Sequence, residues 1–194
     1  SCSGYPSDCV LIGLGNILKN NRPDIVISGI NHGANLGQDR YYSGTVAAAR
    51  EAAFRGVPAI AVSLVTKSIK DVEHFDVAAQ FITRLLEADI KTLIPKHCVL
   101  NINIPNRPMN EIAGVKYTTP GIQNYSEEVI EREDTRGKSY FWVGGTYQGH
   151  VDIPGSDCNE VSNGFISVNL QDLSGKETTD KKVLEGLKNL LKEV

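Results

Sequence analysis

The apolar residues of the first 105 positions form two kinds of run that alternate along the chain. Runs with helical spacing predict three helices, at 7–19, 44–56 and 71–90. Short β-branched runs predict three strands, at 24–30 (DIVISGI), 58–64 and 98–105. The first of these strands is apolar almost throughout, as expected of a strand buried on both faces. This alternation predicts an α/β fold with a Rossmann-like, mostly parallel sheet that is flanked by helices.

The strand predicted at 98–105 (CVLNINIP) shows the two-residue period of a β-strand. We expect Leu100, Ile102 and Ile104 to face one side of the sheet, and Asn101 and Asn103 to face the other. The alternation therefore assigns both amides to the same face.

After Pro105 the chain consists of short apolar segments separated by polar turns. Three of them predict strands, at 114–121 (GVKYTTPG), 139–145 (SYFWVGG) and 164–170 (GFISVNL). Residues 124–138 are dense in charge, which favours a solvated hairpin arm or a flexible loop over a functional element. An apolar stripe predicts a terminal helix at 179–194. We interpret the chain as a Rossmann-like core, 1–113, followed by a β-rich C-terminal part, 114–194, that carries the arm and the terminal helix.

Composition narrows the class of protein. The 194 residues are 41% hydrophobic, as in a globular protein, and the net charge of −3 argues against a nucleic-acid-binding surface. The sequence contains no apolar run of membrane-spanning length, so we expect no membrane partner and a cytoplasmic location. The four cysteines are scattered without metal-ligand spacing, which predicts reduced, buried thiols; they are Cys2, Cys9, Cys98 and Cys158.

The stretch 28–49 (SGINHGANLGQDRYYSGTVAAA) holds the candidate chemistry. Asn31 ends the first predicted strand, where ligands of a parallel sheet bind, and its carboxamide oxygen is a suitable ligand for a hard cation. Ser43 is placed to cap the helix 44–56. Gly44 and Thr45 then offer free N–H groups at the positive end of the helix, which is a binding site for an anion such as phosphate.

An ordinary structural interpretation of the same stretch remains open. Serine before a helix and glycine-rich turns occur without any ligand, and a single loop histidine such as His32 is more often solvated than catalytic. The P-loop pattern GxxxxGK[ST] and the dinucleotide pattern GxGxxG are both absent.

Several segments resemble the SurE family of stationary-phase survival proteins, which are metal-dependent nucleotide phosphatases. The resemblance is strongest for SGINHGANLG, Asp39, YSGTVAAAREAA and GVPAIAVSL between residues 28 and 64. SGYPSDCV, LNINIP, YFWVGG and SDCNEVSNGFISVNL are also similar to family segments, so the likeness runs from Ser3 to about Leu170.

The resemblance implies a function and a set of site residues. It implies a 5′/3′-nucleotidase acting on nucleoside monophosphates, with exopolyphosphatase as a further activity, and with Mg²⁺ or Mn²⁺ as the cofactor. Asn31 would bind the metal, and the residues near the substrate would be Asn35, Ser43, Gly44 and Thr45. Asp39 matches a family position but equally suits a role in shaping the loop. Family members form dimers with exchanged C-terminal elements, and sometimes tetramers, so a homodimer or homotetramer is expected.

One departure from the family is large. Its first strand ends in an NDDG motif whose paired aspartates hold the metal, and no such motif occurs in these residues. We therefore expect the catalytic acidic pair upstream of Ser1, an incomplete core, and no activity from these 194 residues alone. Two alternatives remain: a non-catalytic module that binds nucleotides or anions, and an interaction protein built around the arm and the terminal helix.

Overall fold

The computed structural model describes residues 2–66, 72–173, 177–178 and 185. They form the helices α1 (Pro6–Ile12), α2 (Gly44–Phe54), α3 (Phe75–Glu87) and α4 (Asp157–Ser162). The first five strands are β1 (Val26–His32), β2 (Ala59–Val65), β3 (Cys98–Pro105), β4 (Gly114–Tyr117) and β5 (Gln123–Tyr125). The other five are β6 (Val129–Glu133), β7 (Ser139–Val143), β8 (Tyr147–His150), β9 (Phe165–Asp172) and β10 (Glu177–Thr178).

Six of these strands make one mixed sheet in the order β1-β2-β3-β9-β10, with β4 also paired to β9. β1, β2 and β3 run parallel, whereas β9 is antiparallel to both β3 and β10. The fold class predicted from the sequence is confirmed. Because β1, β2 and β3 are parallel, their carboxyl ends at His32, Val65 and Pro105 lie along the same edge of the sheet.

Helices cover both faces of the sheet. Apolar side chains of α3 pack with Leu100, Ile102 and Ile104 of β3 in one core cluster. On the other face, the alanines of α2 pack against Ala59, Ala61 and Val99 in a second cluster. The alternation predicted for β3 is confirmed, and both of its amide side chains are fully buried.

β1 differs from its prediction as a strand buried on both faces. It begins and ends two residues later than the apolar run 24–30, and its residues alternate between half-buried and exposed, with Ile27 37% exposed. The reason is its place in the sheet: within the described residues β1 pairs with β2 alone and forms the sheet edge.

The helix predicted at 7–19 is also shorter than its pattern. α1 ends at Ile12 and continues as a π-helical turn over Gly13–Ile17, where two glycines disfavour a regular helix. Among the apolar residues of the predicted helix 7–19, only Leu14 is buried, and Ile17 is 73% exposed.

Most of the charged segment 124–138 belongs to a hairpin. Of the two predicted structures, a hairpin arm and a flexible loop, the hairpin arm is the one observed. β6 and β7 pair as an antiparallel hairpin, here called the arm, and all of their residues are exposed. The Asp134 carboxylate accepts hydrogen bonds from the backbone N–H groups of Arg136 (2.8 Å) and Lys138 (2.9 Å), which closes the turn.

The division of the chain into a core and a C-terminal part stays a prediction. β4 and β9, from the second part, pair within the same sheet as β1, β2 and β3. The helix predicted at 179–194 lies outside the described residues except for Glu185.

None of the four cysteines, all of which lie in the described part of the chain, forms a disulfide, but they are not all buried as predicted. Cys98 and Cys158 are buried, whereas Cys9 is exposed and lies in the short helix α1, none of whose residues is buried. None of the described helices is both long and apolar enough to span a bilayer.

Candidate functional site

Two glycines, one within β1 and one in the loop that follows it, allow unusually close backbone contacts. Gly29 has a φ of +113°, and a Cβ there would lie 2.3 Å from the Val62 carbonyl oxygen of β2. Gly37 has a φ of +51°, and a Cβ there would lie 2.6 Å from the Gly121 carbonyl oxygen. Any larger residue at either position would push the backbones apart. β1 is therefore held tightly against β2, and the loop between β1 and α2 is held tightly against the segment before β5.

Asn31 lies near the carboxyl end of β1 and is half-buried. Its side-chain nitrogen donates a hydrogen bond of 3.0 Å to the Gly33 carbonyl oxygen. Because the carboxamide is planar, this bond fixes the side chain with its oxygen at the opposite end. That oxygen is the group the sequence predicts as a metal ligand, and the ligand role stays a prediction.

The start of α2 has the predicted cap. The Ser43 hydroxyl accepts a hydrogen bond of 3.1 Å from the Val46 N–H, and the helix begins at Gly44. In an α-helix with this cap, the N–H groups of Gly44 and Thr45 have no intrahelical partner. A Cβ on Gly44 would lie 2.9 Å from the Pro6 ring, so a glycine here lets α1 pack against the start of α2.

Asn35 is the centre of a buried hydrogen-bond network and is only 3% exposed. Its side-chain nitrogen donates to the Ser63 hydroxyl (2.5 Å), and its backbone N–H donates to the Asn103 side-chain oxygen (2.8 Å). Its carbonyl oxygen accepts from the amides of Asn101 and Asn103, both at 3.1 Å. Asn35 thus anchors the loop to β2 and β3, while its predicted contact with substrate stays a prediction.

Asp39 joins the loop to the C-terminal part of the chain. Its carboxylate accepts hydrogen bonds from the Tyr125 hydroxyl and from the Gln123 side-chain nitrogen (2.5 Å). Burial raises the pKa of the Asp39 carboxyl above its ordinary value, and the hydrogen bond from Tyr125 partly opposes that change. These contacts give Asp39 the loop-shaping role that the sequence left open.

A second carboxylate, that of the fully buried Asp157, links the loop after β1 to the segment before β5 through hydrogen bonds. One of its oxygens accepts from the Gly37 N–H (2.9 Å), and the other accepts from the N–H groups of Gly121 (2.7 Å) and Cys158 (2.8 Å). Asp157 was not among the site residues predicted from the sequence. The only local signal was its place one residue after Ser156, the N-cap of α4.

A cavity of about 410 Å³ opens beside the same loop, and Ala34, Leu36 and Asp39 contribute to its wall. None of the five predicted site residues lines this cavity or the smaller one of about 290 Å³ that lies between α1 and α2. From the resemblance, which assigns a metal to Asn31 and a phosphate to the start of α2, we predict that the two face one pocket, and this stays a prediction.

The described residues offer the oxygen type of ligand that a hard divalent cation prefers, but they do not offer enough such ligands to bind one. They contain no group of three or more His, Cys, Asp and Glu side chains placed to hold a metal ion. The Asn31 carboxamide supplies one oxygen, whereas Mg²⁺ and its relatives take about six. His32, next to Asn31, pairs instead with Glu73, its Nε2 lying 2.6 Å from the Glu73 carboxylate.

A mostly parallel sheet that is flanked by helices defines an α/β protein of the Rossmann-like class. The chain belongs to the SurE family, since the family model described as "Survival protein SurE" matches residues 1–127. The family resemblance predicted from the sequence is confirmed.

Bacterial relatives agree with this assignment. The chain is 47% identical to the 5′-nucleotidase SurE of Myxococcus xanthus, over 81% of this chain and 58% of that protein. It is 43% identical to the 5′-nucleotidase SurE of an Anaeromyxobacter species, over 96% of this chain and 70% of the relative. The chain therefore spans only part of the length of these relatives.

A solved structure shows the same fold. The crystal structure of the SurE protein from Aquifex aeolicus superimposes with a TM-score of 0.72 at 36% sequence identity. The match covers 97% of this chain and 73% of that one. The arrangement of strands described above is thus that of a SurE protein.

Proposed function

We propose that the natural full-length protein is a divalent-metal-dependent phosphomonoesterase that hydrolyses nucleoside monophosphates. The observation that carries this proposal is the family assignment, with relatives named 5′-nucleotidase at 42–47% identity. The local structure supports it, because the loop after β1 presents an amide at a strand end and is followed by a capped helix start.

Each residue of the proposed site has a defined task. The N–H groups of Gly44 and Thr45, at the positive end of α2, bind the phosphate of the substrate. Ser43 holds that helix end in place through its bond to Val46. Asn31 binds the cation through its side-chain oxygen, and the remaining ligands come from outside the described residues. A bound Mg²⁺ or Mn²⁺ would neutralise phosphate charge and lower the pKa of a coordinated water.

The direct test is phosphate release from nucleoside 5′- and 3′-monophosphates by the full-length protein, with Mg²⁺, with Mn²⁺ and after treatment with a chelator. We expect release that depends on the cation. Nucleotide binding without any hydrolysis would instead support the alternative of a non-catalytic nucleotide-binding module.

Ser43→Ala is expected to weaken binding of phosphate or vanadate and to lower the free energy of unfolding by about 1 kcal/mol, because the helix loses its cap. Titration calorimetry and thermal melting measure the two effects separately. Ser156→Ala is the matched control, since Ser156 caps α4 by accepting from the Asn159 N–H at 3.2 Å. The control should lose stability and keep anion binding. Equal anion binding in all three proteins would remove Ser43 from the site.

The arm supports the further proposal that the protein forms a homodimer or homotetramer through its C-terminal elements. Phe141 and Trp142 are 61% and 62% exposed. As consecutive residues of β7 they lie on opposite faces of the arm, so each face presents an apolar side chain to a second subunit. The double variant Phe141→Ser, Trp142→Ser is expected to have a lower mass in light scattering than the unmodified protein. If the mass is unchanged, the arm does not hold the subunits together.

A further inference from the structure

The cavity of about 410 Å³ lies at the ligand-binding edge of the sheet. Thr66, which follows β2, and Pro105, which ends β3, contribute to its wall together with Ala34 and Leu36 of the loop after β1. Its volume falls in the range of pockets that take small organic molecules. The position and the size both suit a substrate group.

Two tyrosines form an aromatic wall of this cavity. Tyr125 of β5 and Tyr147 of β8 pack edge to face, with ring centroids 5.9 Å apart and an interplanar angle of 63°. They are 40% and 47% exposed, so part of each ring is open to an occupant. Such rings provide faces on which a flat, aromatic ligand can stack.

Both tyrosines are anchored at their hydroxyl ends. The Tyr125 hydroxyl donates to the Asp39 carboxylate, and the Tyr147 hydroxyl lies 3.2 Å from the His150 Nδ1. Rings that are held in place lose little further freedom when a ligand stacks on them. Asp39 therefore acts as a positioning residue for this wall.

The rest of the cavity wall is mixed: apolar side chains lie beside several polar ones, among them Thr66, Asn106, Arg107 and Gln123. Leu36 and Val161 are nearly fully buried beside it. Burial, and then the nearby Asp157 carboxylate, raise the pKa of the Cys158 thiol, so this part of the wall carries no charge at neutral pH. The Arg107 guanidinium is held by its bond to the Ser162 carbonyl (3.3 Å) and adds a polar group.

We infer that this cavity receives the base of a nucleotide substrate, with Tyr147 and Tyr125 as its stacking surface. The inference rests on the proposed function, which places the phosphate of the same substrate at the start of α2. The segment 31–43 connects the two sites, running from Asn31 past the cavity residues Leu36 and Asp39 to the Ser43 cap. An aromatic wall beside hydrogen-bonding side chains suits a flat heterocycle, which stacks through its faces and forms hydrogen bonds through its edges.

The test uses two probes and the full-length protein. Adenosine carries a base without phosphate, and ribose 5-phosphate carries a phosphate without a base; titration calorimetry gives the dissociation constant of each. We expect Tyr147→Ala to weaken adenosine binding roughly tenfold, as for the loss of one base-stacking surface. Ribose 5-phosphate binding should stay unchanged. Tyr147→Phe should bind adenosine like the unmodified protein, because it keeps the ring.

Two further variants make the outcome decisive. Tyr140→Ala removes a tyrosine of similar exposure (43%) from the arm and should leave both probes unaffected. Thr66→Trp fills the cavity from the end of β2 and should weaken adenosine binding while both tyrosines remain. Melting curves identify any variant that fails to fold. If Tyr147→Ala is one of them, adenosine binding by Thr66→Trp and by Tyr147→Phe tests whether the base occupies the cavity.

The inference is overturned if adenosine does not bind, if Tyr147→Ala and Thr66→Trp leave its binding unchanged, or if they weaken ribose 5-phosphate equally. Its failure is distinct from failure of the proposed function. Hydrolysis of ribose 5-phosphate with no selective effect on adenosine would keep the phosphatase and reject the base site. Selective adenosine binding with no hydrolysis of any phosphate ester would keep the base site and reject the phosphatase.

Discussion

Asn31→Ala in the full-length protein is expected to move the Mn²⁺ activation curve of phosphate release to concentrations roughly tenfold or more higher. The physical reason is the loss of one oxygen ligand whose orientation is fixed by the 3.0 Å bond from the Asn31 amide nitrogen to Gly33. Because the other ligands remain, a high cation concentration should restore much of the activity. The measurement is initial rate against Mn²⁺ concentration at saturating substrate.

Two comparisons separate this effect from a general loss of structure. Asn124→Ala removes an exposed asparagine from β5 and should leave the activation curve in place. The melting temperature of Asn31→Ala should fall little, since only one half-buried hydrogen bond is lost. An activation curve that does not move would exclude Asn31 as a metal ligand.

The fold could be predicted from the sequence wherever the signal is local. β3 was predicted with its observed bounds because its apolar and amide residues alternate. The cap at Ser43 was predicted because serine is a preferred residue immediately before a helix. The prediction that β1 is buried on both faces was wrong. The burial of a strand depends on its position in the sheet, and β1 is an edge strand among the described residues. An apolar run alone does not contain that information.

The same distinction applies to the candidate site. Asn31 and Ser43 were found because each lies next to a strand or helix end along the chain. Tyr125 meets Asp39 across 86 positions and Asp157 meets Gly37 across 120, so no short motif predicts either contact. The sequence could identify the loop after β1, but not the residues from the C-terminal part that shape and hold it.

The buried amides of β3 give the largest expected change in stability. Asn103→Val is expected to lower the free energy of unfolding by about 2–4 kcal/mol, because it leaves the buried Asn35 N–H without the acceptor that now lies at 2.8 Å. It also removes one of the two amides that donate to the Asn35 carbonyl oxygen. Urea unfolding followed by circular dichroism measures the change.

The neighbouring amide provides an internal comparison on the same strand face. Asn101→Val removes only one donor to the Asn35 carbonyl, and it also removes a buried side-chain oxygen that has no hydrogen-bond partner among the described residues. It should therefore cost clearly less than Asn103→Val, while Asn110→Val at an exposed position should cost almost nothing. Since Asn35 anchors the loop that carries Asn31, Asn103→Val should also slow phosphate release at temperatures where the variant is still folded. Equal losses of stability for Asn101→Val and Asn103→Val would show that the bond to the Asn35 N–H is not what holds the loop on the sheet.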